Sequence, residues 1–292
     1  MIMRILTSVL ICLIATSLSA QDLTHPTRMN LPDSKFERPD PADFELSLDN
    51  GLTAYIAVAD QVPLVTISVF IRAGKVSDEN QGAAEALAEA FRLGPNGSES
   101  EFQQALRMMT AEFNVSLHDE WMEISLNVPS EDLDTAMEMF AAVVQAPSRS
   151  DAAIAKAALK AGPAGDDLAG VSGPALYDGS LAAAVDRFYE ILYADHPLGI
   201  RPDARDFEKL TTDDVASFHD RVVVPSNMVI TVAGDIGVSR VESEVIAHFG
   251  DLPFAKTPEE VTTPRIEGLE RTQHTFPSDK LQSWLVFGHD LG

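Results

Sequence analysis

The stretch Gln81-Gly82-Ala83-Ala84-Glu85-Ala86-Leu87-Ala88-Glu89-Ala90-Phe91-Arg92 decides how the rest of the chain is read. Ala, Leu and Glu fill it, Gly82 opens it, and Gly94 and Pro95 stop it just beyond Arg92, so it reads as a helix. Glu85 and Glu89 stand four residues apart and share one helical face, with Ala88 beside them. On the N-terminal side, residues 44–48 alternate in polarity, Asp49-Asn50-Gly51 is a hairpin turn, and residues 52–58 continue as its partner strand. Residues 64–71 are β-branched and apolar enough for an inner strand.

On the C-terminal side, Ser98-Glu99-Ser100-Glu101 caps a second helix running to about Met109, with Phe102, Leu106 and Met109 on one face. Residues 113–117 and 121–128 read as a strand pair around His118-Asp119-Glu120. Ser130 is expected to cap a helix with the buried stripe Leu133, Met137, Phe140 and Val144, ended by Pro147. Residues 151–161 form an Ala-rich helix that breaks at Gly162-Pro163, and a Gly/Asp/Pro-rich loop leads to a longer helix over 176–193. Thr212 is expected to cap a helix to Arg221; 228–233 is a buried strand and 238–249 a last amphipathic helix. Residues 253–270 read as a linker, and Gln282-Ser283-Trp284-Leu285-Val286-Phe287-Gly288 as the first strand of a further domain that stops short.

The chain has 292 residues and a formal net charge of -24, with a pI near 4.5. No basic patch is available to neutralise phosphates, which excludes a nucleic-acid partner; the acidity reads as a solvated surface. Met1 to Ala20 has one charge at Arg4, an apolar run, and small residues before Gln21, the pattern of a secretory signal peptide too short for a membrane span. The expected location is therefore periplasmic or secreted, with no membrane association beyond export. The only cysteine, Cys12, lies in that segment, so the mature chain has no thiol chemistry and no disulfide. The expected organisation is a signal peptide over 1–20, an extended lead-in over 21–41, one domain over 42–255, and a linker with the start of a truncated second domain over 256–292.

From about Phe44 to Asp235 the chain resembles the pitrilysin/insulinase family of zinc peptidases, which includes the mitochondrial processing peptidase. The resemblance rests on the order and spacing of five pieces. These are Leu48-Asp49-Asn50-Gly51-Leu52, the helix at Gly82, Asp195-His196-Pro197-Leu198-Gly199, Leu210-Thr211-Thr212-Asp213-Asp214, and Val224-Pro225-Ser226-Asn227-Met228 leading to Gly234-Asp235. It implies an α+β fold in which a mixed, mainly antiparallel sheet packs against helices on one side, forming a peptidase half-unit. It also makes residues 113–117 the sheet edge on which a peptide lies, with Asn114 where the family often has Asn.

A hydrolytic zinc site needs ligands that hold the ion, one position left for water, and a base for that water's proton. By the resemblance, the family's two histidine ligands fall on Glu85 and Glu89, its glutamate base on Ala88, and its third ligand near Lys160 or Ala161. A methyl group accepts no proton, and no histidine lies between Gly82 and Leu117. No catalytic residue, no resident metal and no cofactor are therefore expected, although the family uses zinc.

Glu85 and Glu89 could still hold Ca²⁺ or Mg²⁺ if Asp166 or Asp167 approached, but an exposed acidic helix face without an ion is the favoured reading. His196 reads as structural, His118 as part of a polar turn or a metal ligand, and His219 and His248 as surface or core-edge residues. Met108-Met109 and Met137-Met139 read as core packing. No Gly-x-Ser-x-Gly elbow is present, and Gly162, Gly165 and Gly170 do not follow a strand.

The leading expectation is a non-catalytic homologue that partners an active zinc peptidase subunit acting on peptides. The alternatives are a periplasmic peptide-binding or assembly module that grips peptides by strand addition, and a divergent active metallopeptidase.

Overall fold

A computed structural model describes residues 39–95, 99–160, 180–194, 196–259, 261, 272–275, 283 and 285–288. The expected signal peptide with Cys12, nearly all of the lead-in, Ser98, the Gly162–Gly170 segment with Asp166 and Asp167, Ala161, the start of the 176–193 helix, Asp195 and Trp284 lie outside them. The elements below belong to one compact unit, Pro41–Gly292.

Six strands form one sheet: β1 Glu45–Ser47, β2 Thr53–Val58, β3 Leu64–Ile71, β4 Glu112–Leu117, β5 Met122–Pro129 and β6 Met228–Gly234. Their order is β1-β2-β6-β3-β5-β4. Only the β2–β6 pairing is parallel, with Thr53 opposite Val229 and Val58 opposite Gly234; the others are antiparallel. The sheet is thus mixed and mainly antiparallel, as expected.

Eight helices are described: α1 Ala83–Leu93, α2 Glu99–Met108, α3 Leu133–Gln145, α4 Asp151–Lys160, α5 Ser180–Tyr193, α6 Ala204–Lys209, α7 Thr212–Val222 and α8 Val238–Phe249. The strands alternate between a buried and a more open face. Ile56, Ile67, Val69, Ile124, Leu126, Ile230 and Val232 are buried, while Tyr55, Ser125 and Thr231 are partly open. The buried rows share a core with Leu87 and Phe91 of α1, Phe140 and Val144 of α3, and Val245 and Phe249 of α8. Each fully buried Phe contributes about 1.5–3 kcal/mol.

Two local features fix where α1 lies. Gly82 caps its start at φ 98°, and a Cβ there would come within 2.8 Å of the Phe207 ring. A Cβ on Gly74 would meet the His118 carbonyl oxygen at 2.3 Å, so only Gly lets residues 74–76 run against the β4–β5 hairpin, where Lys75 and Val76 donate to the carbonyls of His118 and Asp119.

Several local expectations are corrected. Ser130 does not cap α3: its N–H extends the ladder to Pro63 O, its Oγ is buried without a partner among the described residues, and a 3-10 turn Ser130–Asp132 intervenes. The cap of α7 is Thr211, not Thr212, because only Thr211 has an acid three residues on, Asp214, to reciprocate. Met108 is 79% exposed, since the Phe102–Leu106–Met109 stripe leaves it on the opposite face. His219 is buried, continuing the Val215, Phe218, Val222 stripe of α7. Residues 285–288 form no strand, and Leu285 and Phe287 are 84% and 85% exposed.

The hairpin turn is tied to the far end of the unit. The Asn50 side-chain amide donates to the carbonyls of Phe249 at 2.8 Å and of Gly250 and Leu252 at 3.2 Å, while its own oxygen accepts from Leu52 N–H. Asn50→Ala strands those buried acceptors at the end of α8 and is expected to cost about 2 kcal/mol, read as a lowered urea midpoint with an unchanged slope.

Candidate functional site

Helix α1 lies close to its neighbours because five of its eleven side chains are methyls: Ala83, Ala84, Ala86, Ala88 and Ala90 are all buried. Its start is held by Asp78, whose two oxygens accept from Asn80 N–H at 3.0 Å and Ala84 N–H at 3.1 Å. Burial outweighs those bonds and pushes the Asp78 carboxyl up to about 6.

Glu89 is not on an exposed acidic face: it is 4% exposed. One of its oxygens takes Lys160 Nζ of α4 at 2.7 Å and also pairs with Arg92 Nη1 one turn further along α1. Arg92 Nη2 in turn donates to the carbonyl of Val115 on β4 at 2.6 Å. The expectation failed because periodicity within one helix cannot show that α4 covers that face.

Glu85, one turn earlier, is half-buried in a different setting. Desolvation pushes its carboxyl up, with Lys75 and Arg201 opposing and Asp78 adding to the rise. Arg201 stands 3.4 Å from Asp186 and 3.8 Å from Asp119, over the Tyr189 ring. Asp186 is likewise raised by burial against the pull of Arg201. Between the two glutamates, Ala88 is buried and offers nothing that could accept a proton from water.

The residues present do not fit zinc. A divalent ion at Glu89 would meet the ammonium of Lys160 and the guanidinium of Arg92 already seated on the carboxylate. Among the described residues, no group of three or more His, Cys, Asp or Glu is arranged to hold a metal.

The histidines are placed elsewhere. His196 Nδ1 accepts from Leu198 N–H at 3.2 Å and caps the turn Pro197–Gly199, a structural role. His118 stacks on Trp121 at 3.9 Å. His219 lies 3.0 Å from Val144 O and 2.9 Å from Asp220, whose carboxyl it lowers. His248 pairs with Glu244 at 3.4 Å. A cleft of about 120 Å³ between Asp78, Asn80, Asp214, Phe218 and Arg221 is smaller than pockets that enclose organic ligands.

Sequence reasoning missed Arg92 and the role of Lys160. The three-residue spacing of Glu89 and Arg92 was visible, and the position of Lys160 had been picked out as that of a missing ligand, but not as a partner for Glu89.

The sheet order and the buried helix crossing beside edge strand β4 define a peptidase-like half-unit. Residues 55–162 match the family described as insulinase (peptidase family M16), and residues 209–288 match the peptidase M16 inactive domain. The chain belongs to this family of peptidases.

Among solved structures it is similar to a peptidase M16 inactive domain from Pseudomonas fluorescens, with a TM-score of 0.66 and 20% identity over 76% of this chain and 53% of that one. It is also similar to a protease from Helicobacter pylori, with a TM-score of 0.59 and 18% identity over 76% and 52%. A third is the periplasmic protease PqqL from Escherichia coli, with a TM-score of 0.60 and 18% identity over 75% and 25%. At these identities the likeness is one of fold, and the chain spans about half the length of the first two. No curated protein sequence matches. Among the described residues no helix is long and apolar enough to cross a membrane.

Two outcomes follow. Lys160→Met leaves Glu89 with Arg92 alone and is expected to cost about 1–2 kcal/mol by chemical denaturation, reduced from the full buried-pair value because Lys160 is itself half-exposed. Because the folded-state pKa of Asp78 is raised from 3.8 to about 6, the native state holds this proton more tightly than the unfolded chain. Its contribution to stability is full below pH 3.8 and is lost as the pH rises through 6. Midpoints followed by tryptophan fluorescence from pH 3.5 to 7 should therefore decline less steeply in Asp78→Asn than in the wild type.

Proposed function

We propose that this chain is a non-catalytic peptidase homologue that works beside an active, zinc-bearing subunit of the same family in the breakdown of peptides. The observation that carries the reading is the Glu89 carboxylate held by Lys160 and Arg92, with Ala88 at the position that the resemblance gives to the base. Catalysis needs an ion with an open position and a base, and Glu85, Ala88 and Glu89 supply neither. The match to an inactive-type domain supports the same reading. The apolar N-terminal segment and the likeness to a periplasmic protease support export to the periplasm or the exterior.

A second reading is favoured by one observation, the position of β4 at the end of the sheet. In it the chain is a periplasmic binding or assembly module that takes extended peptides by strand addition, with no peptidase partner. Purification from its native host separates the two: the first reading predicts a stoichiometric peptidase subunit, the second mixed peptides.

The purified protein at saturating zinc is expected to leave a quenched fluorescent peptide uncut, and to form a defined complex with an active subunit. Turnover abolished both by a chelator and by Glu89→Ala would overturn the assignment.

A further inference from the structure

The hydrogen bond from Ser130 N–H to Pro63 O, at 3.1 Å, sets the alternation along β5. Even-numbered residues of β5 face β3, and Glu123, Ser125 and Asn127 face β4, where their partners are Ser116, Asn114 and Glu112. The backbone groups of Phe113, Val115 and Leu117 therefore point out along the edge of the sheet. An added strand would bond to those three residues. Val115 is the middle one, and its carbonyl is already the acceptor for Arg92.

Arg92 is firmly seated there. Its other terminal nitrogen is bonded to Glu89, which is itself buried and gripped by Lys160. The forked guanidinium thus spans a fixed carboxylate and an edge carbonyl, a geometry that an ammonium cannot copy.

We propose that Arg92 is a latch on the edge of β4, keeping it from pairing with an extended polypeptide until the guanidinium is drawn away. The occupant it regulates is a peptide segment recognised through its main chain. The open-face side chains of β4 are Glu112, Asn114 and Ser116, polar groups without an apolar pocket for side-chain readout. The latch also guards the sheet against edge-to-edge pairing with another copy, as charged groups at sheet edges do in other proteins. The inference concerns the edge alone and holds with or without a peptidase partner.

The test is fluorescence anisotropy with a fluorescein-labelled decapeptide of alternating Thr and Val, run on the full chain and on Arg92→Met. The control is the same peptide N-methylated at alternate amides so that it cannot bond along an edge. Arg92→Met, in which Glu89 keeps Lys160, is expected to bind the plain peptide at least tenfold more tightly than the wild type, and the methylated peptide with no gain. Equal affinity for wild type and variant, absence of binding by both included, would overturn the proposal, as would a gain that the methylated peptide shares. Circular dichroism checks the fold. If Arg92→Met does not fold, Arg92→Lys takes its place in the same comparison, because it keeps a charge at Glu89 without the second nitrogen.

Discussion

One oxygen of Glu89 organises the region. A carboxylate shut away from water is tolerated only when cations and donors meet it, and here an ammonium from α4 and a guanidinium from its own helix do so. Through Arg92 the same charge reaches the backbone of β4. Elements near residues 89, 115 and 160 are thereby fixed to one another. Removing either cation would leave the carboxylate only half compensated, whereas the methyl-rich rest of α1 can pack against almost any apolar surface.

The neighbouring carboxyl on the same helix face shows how much the partners matter. Glu85 lies one turn away, yet among the described residues no cation is paired directly with it; Lys75 and Arg201 act on it from the surroundings, and burial outweighs them. Asp78 and Asp186 carry the same signature, each raised by lost water rather than by a like charge first. The carboxyls at the start of α1 and around it therefore bind protons more tightly than exposed acids do, while the end of α1 is held by charge pairing.

Much of the fold was legible because the local signals agreed with the tertiary ones. The span 238–249 was read to the residue, since its Val241, Val245 and Phe249 stripe has no competing period. The hairpin at Asn50 was read from Asp49-Asn50-Gly51, although the reach of its amide to α8 was not, because nothing local marks a bond across 199 residues. Adjacent candidates defeated the reading at Thr211 and Thr212, where the choice rests on which one finds an acid three residues on. The Glu85 and Glu89 spacing gave the helix face correctly and its exposure wrongly: a single helix carries no information about what covers it. His219 could have been recovered, because it stands one residue after Phe218 on a stripe with Val215 and Val222.

The position of β6 has a consequence for how the chain acquires its shape. β2 and β3 are separated by a short turn, yet they do not pair; a strand that begins at Met228 inserts between them and bonds to both. Until that strand is made, β2 is paired only with β1 and β3 only with β5, and their facing edges stay open, so completion of the sheet waits on a contact about 170 residues distant and is slow by topology. Such a polypeptide spends its early life as a target for chaperones and for its own kind, and a truncation before Met228 would leave the centre of the sheet vacant.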